Sequence, residues 1–159
     1  MAKKTKQTKT LPIYILNGPN LNLLGHREPE VYGYTTLAQI EQMCAAQAAS
    51  HGLSIVFRQS NREGEIVDHL QEARTAGSAV IINPAGYGHT SIAILDSIQA
   101  CGLPVIEVHL SNIHRREPYR NHSYVSKGAT GIIMGLGAQG YVRAVDAVAD
   151  ILSAKGKKK

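Results

Sequence analysis

The sequence predicts an α/β protein: a flavodoxin-like three-layer sandwich built on a five-stranded parallel sheet in the order 2-1-3-4-5. Three observations carry this. Short apolar runs alternate along the chain with stretches of helical periodicity. The apolar runs, such as Ile13-Tyr14-Ile15-Leu16 and Ala79-Val80-Ile81-Ile82, are continuous rather than alternating, as expected of strands covered on both faces. The 159 residues suffice for five such strands and their helices around one core. Five parallel strands wound in both directions take the order 2-1-3-4-5.

The first strand covers 12–17 and runs into the break Gly18-Pro19. The loop that follows is long for a compact domain, and Gly18, Gly25 and Gly33 near its ends suit a hinged lid. Thr36 and Gln39 have capping-box spacing. Leu37, Ile40, Met43 and Cys44 then form a helical stripe that stops at Gly52. A second strand covers 54–58. Ser60 and Glu63 repeat the capping-box spacing ahead of a helix burying Ile66, Val67, Leu70 and Ala73, up to Gly77. The third strand, 79–82, ends in Asn83-Pro84-Ala85-Gly86-Tyr87-Gly88-His89. Thr90 or Ser91 caps a helix with Ile92, Leu95 and Ile98 inward, closed by Gly102. The fourth strand, 104–108, runs out into His109-Leu110-Ser111-Asn112 and a short Arg-rich turn or helix. The fifth covers 130–134. The last helix starts near Ala138 with Val142, Val145, Ala149 and Leu152 on one face. The expected division is a basic disordered tail over 1–11, a single catalytic domain over 12–152 and a lysine-rich tail over 153–159.

The net charge of +5 misleads about partners. Eight lysines lie in the first ten and last five residues. The nine basic residues between 11 and 154 face all 12 acids, leaving that body at −3. Basic tails attract polyanions weakly and say nothing of the fold, so no nucleic-acid partner is expected. Lys127 is the one lysine of the body, which argues against Schiff-base chemistry. Cys44 and Cys101 form neither a disulfide framework nor a zinc pattern, and suit a reducing cytoplasm. The seven histidines show no metal-ligand spacing, so no metal is expected. No apolar run reaches the length of a signal-peptide core or a membrane span, so a soluble cytoplasmic chain is expected. Gly135-Leu136-Gly137-Ala138-Gln139-Gly140 fits the dinucleotide fingerprint, but the second strand and the acidic residue about 20 positions on are missing. Close helix packing explains it better than a nicotinamide cofactor.

The topology places a site beyond the carboxyl ends of the strands, at the switch point between strands 1 and 3. Asn17 and Asn20, Asn83 and His89, and Glu107 and His109 should meet there, with Arg27 and Tyr32 arriving on the lid. A guanidinium within about 4–6 Å favours a phenolate and lowers a phenol's pKa by roughly 1–3 units, enough to make a tyrosine a base. Glu107 and His109 are two apart in a strand and share a face. A carboxylate in that position orients an imidazole and suits it to act as a general acid. Leu110-Ser111-Asn112 offers an anion cradle. Arg116 and Arg120, four apart, share a face if helical and can hold a carboxylate or reinforce the positive field, whereas Arg115 points elsewhere. Asp96 is a surface carboxylate unless it reaches a neighbouring subunit's cleft. A non-catalytic module binding a nucleotide or flavin at the same switch point is the alternative, although only tyrosines are abundant enough to stack on a flavin.

Separated motifs in a fixed order resemble the type II 3-dehydroquinate dehydratases over about residues 12–152. They are Asn-Gly-Pro-Asn-Leu-Asn-Leu-Leu-Gly at 17–25, Arg-Glu-Pro-Glu-Val-Tyr-Gly at 27–33, Arg-Gln-Ser-Asn at 58–61 and Ile-Asn-Pro-Ala-Gly at 82–86. His-Thr-Ser at 89–91, Ile-Glu-Val-His-Leu-Ser-Asn at 106–112 and Arg-Glu-Pro-Tyr-Arg at 116–120 complete the set. The resemblance implies a flavodoxin-like fold, no cofactor, a homododecamer of four trimers, and 3-dehydroquinate as substrate. It implies that Tyr32, activated by Arg27, takes a proton from C2, and that Asn20 stabilises the enolate through water. It implies that His109, oriented by Glu107, protonates the departing C1 hydroxyl. Asn83, His89, Leu110, Ser111 and Arg120 are implied around the substrate, and Asp96 at the trimer contact. Gly88 departs from the family's usual threonine and removes a hydroxyl beside His89. The basic tails also lie outside the pattern.

Overall fold

In the computed structural model, which describes residues 9–157, the strands are β1 (Ile13–Asn17), β2 (Ile55–Gln59), β3 (Ala79–Asn83), β4 (Val105–His109) and β5 (Gly131–Met134). They form one parallel sheet in the order β2-β1-β3-β4-β5, as expected. The helices are α1 (Pro29–Tyr32), α2 (Leu37–Ser50), α3 (Glu63–Ala76), α4 (Ile92–Cys101) and α5 (Gln139–Gly156). Of the expected basic tails, residues 1–8 and 158–159 lie outside the described residues. The last helix runs to Gly156, past the boundary expected at 152.

Alternation along the strands divides the core into two layers. Ile13, Ile15, Ile81, Ile106 and Val108 face α2 and α5, meeting Ile40, Cys44, Tyr141 and Val145. Tyr14, Leu16, Val80, Ile82 and Val105 face α3 and α4, meeting Ile66, Leu70, Ile94 and Ile98. The three inner strands β1, β3 and β4 are buried throughout, which is why they read as unbroken apolar runs.

Local signals succeed at some helix starts and fail at others. Thr36 and Gln39 form the capping box at α2, with Thr36 Oγ1 accepting from the Gln39 amide at 3.2 Å. Ser91 caps α4, its hydroxyl accepting from the Ile94 amide at 2.9 Å. The Ser60–Glu63 box does not form. The N-cap of α3 is Arg62, and Ser60 instead donates to Glu65 at 2.5 Å while accepting from the Arg62 amide. Ile92 is exposed rather than inward, because α4 starts one residue after Ser91 and turns Ile94 and Ile98 to the core.

Gly18 sets how closely β1 and β3 approach at their carboxyl ends. Its amide donates to the Asn83 carbonyl at 2.8 Å. A Cβ at this position would stand 2.3 Å from the Pro84 carbonyl oxygen, a backbone atom that cannot rotate away. Gly18→Ala is therefore expected to destabilise the protein by about 1–3 kcal/mol through overpacking. A lowered urea midpoint would show it, and an unchanged midpoint would refute the close approach.

Candidate active site

A cavity of about 150 Å³ opens beyond the carboxyl ends of β1, β3 and β4, at the β1/β3 switch point. Of the residues singled out in the sequence, Asn20, Arg27, Tyr32, Asn83, His89, His109, Leu110, Ser111 and Arg120 line it. Glu107 lies behind His109, fully buried. Asp96 is exposed on α4 and outside the lining. Asn17 does not belong to the site. Its amide is used internally, donating to the Arg58 carbonyl and accepting from the hydroxyl of buried Tyr141 at 2.7 Å. Burial pushes the Tyr141 phenol well up, so it stays neutral as it accepts from Asn83 at 2.9 Å and donates to Asn17. That relay ties the ends of β1 and β3 to α5 and fixes Asn83 at the cavity edge.

The lid lies over the cavity. Gly25 and Gly33 take positive φ at its two ends, and Pro29 opens the single helical turn α1 that carries Tyr32. Two guanidiniums meet the Tyr32 side chain. Arg27 sits over the ring, 5.5 Å from its centroid, and also pairs with Glu28 at 3.7 Å. The group that touches the phenol oxygen is Arg116, whose Nη1 donates to it at 2.9 Å and lies 3.4 Å from Ser111 Oγ. Their spacing predicts that Arg116 and Arg120 share a helix face, to hold a carboxylate or reinforce the positive field. The segment instead forms separate 3₁₀ turns, Ile113–Arg115 and Pro118–Arg120, and Arg116 in the gap between them turns toward the lid. Both arginines line the cavity, and Arg120 Nε donates to Glu117 at 2.9 Å.

Facing the arginines is a buried carboxylate–imidazole pair. His109 Nε2 donates to Glu107 at 2.6 Å. Burial pushes the Glu107 carboxyl up, but hydrogen bonds from His109, Ser123 and Ser126 together with the imidazole charge outweigh it and hold the group below its usual range. Glu107 is thus a carboxylate, and it fixes the ring so that the other nitrogen, Nδ1, is left without a protein partner among the described residues. His89 Nδ1 donates to the His122 carbonyl at 2.7 Å. Burial lowers the His89 pKa, the carbonyl bond opposes this, and His109, Arg120 and His122 lower it further. The ring is therefore neutral, with an acceptor lone pair on Nε2. At Gly88, an added Cβ would stand 2.9 Å from Pro84 Cγ and 3.2 Å from Ser123 Oγ, and His89 is placed without a hydroxyl at this position.

The Gly135–Gly140 motif lines no part of the cavity. Gly135 and Gly137 take positive φ in the turn after β5, and buried Gly140 packs α5 against Val108 and Ile133. Among the described residues no cluster of three or more His, Cys, Asp or Glu side chains can hold a metal ion. Among them, too, no helix is long and apolar enough to cross a membrane.

The arrangement offers a phenol between guanidiniums on one wall, a carboxylate-backed imidazole on another, and neutral acceptors and donors between. It suits removal of one proton and delivery of another to an anionic substrate. Comparison with known proteins points the same way. The model of the family described as Dehydroquinase class II matches residues 11–149. A 3-dehydroquinate dehydratase of Streptomyces coelicolor is 58% identical over 144 residues, 90% of this chain and 92% of that protein. One of Phenylobacterium zucineum is 59% identical over 140 residues, 88% of this chain and 97% of that protein. The crystal structure of a type II dehydroquinase from Propionibacterium acnes matches with a TM-score of 0.85 at 40% identity, over 89% of this chain and 97% of that one. With family model, relatives, sheet order and cavity in agreement, the chain belongs to the class II dehydroquinases.

Proposed function

We propose that residues 12–152 form a single catalytic domain that eliminates water from 3-dehydroquinate to give 3-dehydroshikimate, a step of the shikimate pathway, without a cofactor. The observation that carries this is the Arg116–Tyr32 contact across the cavity lining from His109 and Glu107. Guanidinium charge from Arg116 and Arg27 stabilises the phenolate of Tyr32 by Coulomb attraction. The phenolate takes the C2 proton, and the C2–H electrons pass into the adjacent carbonyl to form an enolate, with Asn20 close to the developing charge. The enolate then collapses and the C1–oxygen bond breaks. His109, an imidazolium at this step with its Nε2–H held by Glu107, supplies from Nδ1 the proton that makes the leaving hydroxyl water. Tyr32 then gives up its proton to solvent, and solvent reprotonates His109 Nδ1. Asn83, His89, Leu110 and Ser111 hold the substrate's hydroxyls, and Arg120 holds its carboxylate with the guanidinium nitrogens that Glu117 leaves free.

A nucleotide- or flavin-binding module is disfavoured by the site itself. A buried carboxylate behind a histidine serves proton transfer, and the rings near the cavity are occupied by each other and by arginines. Assembly into a homododecamer of four trimers is part of the same reading. Exposed Ile92 beside Asp96 on α4, with exposed Ile132 on the edge strand β5 and exposed Leu136 in the turn after it, offers apolar surface to a second copy. A cytoplasmic location accords with two free cysteines, both buried.

Growth of enone absorbance on mixing the protein with 3-dehydroquinate, equal with and without chelator, tests the activity. Tyr32→Phe is expected to remove turnover while substrate still binds, and His109→Ala to lower kcat by roughly 100-fold or more. Arg116→Ala should lower kcat more than it raises KM, because its charge is needed most when the phenolate forms. Near-normal rates in Tyr32→Phe would remove that residue as the base. A mass in solution well below a dodecamer would refute the assembly.

Acid should also uncover Glu107. Its folded pKa is depressed, so its stabilising contribution is complete above the ordinary carboxylate value of 4.5 and is lost as pH falls through the folded value. The difference in urea midpoint between the native protein and Glu107→Gln should be constant from about pH 6 to 5 and shrink below about pH 4.5. A difference that does not change with pH would show that Glu107 titrates alike in both states.

A further inference from the structure

The residues just after Asn121 hold His89 and the carboxylate behind His109, and nothing in their spacing marks them as part of the site. Ser123 Oγ donates to Glu107 Oε1 at 2.6 Å, and Ser126 Oγ donates to Glu107 Oε2. With His109 also on Oε1, both carboxylate oxygens are occupied. One residue before Ser123, His122 exchanges two bonds with His89: His89 Nδ1 donates to the His122 carbonyl, and His122 Nε2 donates to the His89 carbonyl at 2.9 Å. The Tyr124 amide donates to the Gly88 carbonyl at 2.8 Å, so the segment is laced to the loop after β3 as well as to β4. Val125, fully buried in the layer with α4, anchors it.

We propose that residues 122–126 are the positioning element of this site, in which Ser123 and Ser126 hold the Glu107 carboxylate against His109 while the His122 carbonyl fixes the tautomer of His89. Neither serine lines the cavity, so each acts through Glu107 rather than on substrate. A carboxylate inside a sheet can swing or take up a proton unless both oxygens are bonded, and either change would release the imidazole ring. The serines prevent both. Their hydroxyls donate to both oxygens, and hydrogen bonds to the charged form favour the ionised carboxyl. The groups facing Glu107 are few. His109 comes from its own strand, the two serines come from this segment, and the flanking strands bring Ile82 and Ile132 into register with it. His89, with its ring centroid 6.3 Å from that of His109, is the next titratable neighbour.

The inference rests on His109 being the acid of the proposed reaction, and its test separates the two. Ser123→Ala combined with Ser126→Ala should lower kcat for 3-dehydroquinate roughly 10-fold to 100-fold, the effect of losing hydrogen bonds to a charged group, with KM changed less than about threefold. Without its donors, buried Glu107 takes up a proton more readily, so the acidic limb of the kcat profile should move to higher pH. Ser126→Thr, which keeps the hydroxyl at a half-buried position, should restore rate and profile. Ring nitrogen-15 spectra of the substrate-free protein should show His89 protonated at Nδ1 and His109 at Nε2, with the His109 signals displaced in the double variant and also in Ser126→Ala alone. A folded double variant with native kcat profile and unshifted His109 signals would overturn the proposal. Absence of turnover by the native protein would overturn the functional reading instead, and the spectra would still decide the positioning role.

Discussion

Glu107 is fully buried at the carboxyl-terminal part of β4, and the architecture around the site follows from the need to keep it charged. An isolated carboxylate in such surroundings costs several kcal/mol unless it is bonded and paired. Three donors meet that demand, and they come from two places. His109 comes from the same strand, and Ser123 and Ser126 come from a segment that passes behind it. A regular helix over 113–127 could not bring hydroxyls to both oxygens while sending Arg116 toward the lid. The chain instead breaks into three 3₁₀ turns, with Arg116 and Ser123 in the connections between them and Arg120 and Ser126 in the turns.

The charges are sorted by depth. The acid lies beneath the floor and the guanidiniums stand at the walls and mouth, so an anionic substrate meets positive potential first. The acids paired with the arginines, Glu28 and Glu117, are both on the solvent side. They fix the arginines' direction without neutralising the cavity, since exposed pairs are weak and screened. His89 completes the pattern as an uncharged acceptor among cations, because burial and the neighbouring charges both oppose its protonation.

The sheet order was legible because doubly buried strands leave continuous apolar runs and because five of them fit only a few windings. The cavity was legible because that order fixes which strand ends meet. What escaped the sequence depends on side chains finding partners far along the chain. Arg116 was legible as a cation, but its contact with Tyr32, 84 residues away, depends on a lid and a 3₁₀ break that no periodicity encodes. Ser123 and Ser126 resembled loop serines, the commonest use of that residue. Ser60 and Glu63 carried the right spacing for a cap, yet Glu65 offered a better acceptor once the chain turned at Asn61. Asn17 reads as a site residue because it stands at the carboxyl end of the first strand, whereas the buried hydroxyl of Tyr141 takes it for the core.

Backbone strain marks the same region independently. Among the described residues, three other than glycine adopt positive φ: Asn20 at 67°, Glu28 at 40° and Ala85 at 51°. Asn20 and Ala85 line the cavity, and Glu28 precedes the turn that carries Tyr32. Such conformations cost of order 1–3 kcal/mol each and persist only where neighbours over-determine them. Those neighbours are present. The Asn20 amide donates to Asn61 Oδ1 at 2.9 Å, and Tyr87 from the β3 loop donates to the Asn61 carbonyl at 2.7 Å. The Ala85 amide donates to Asn83 Oδ1, whose own amide is tied to Tyr141. The two strained loops therefore brace each other across the switch point. A relaxed backbone at either place would move Asn20 away from Asn83 and open the cavity that the buried carboxylate and the arginines are arranged to charge.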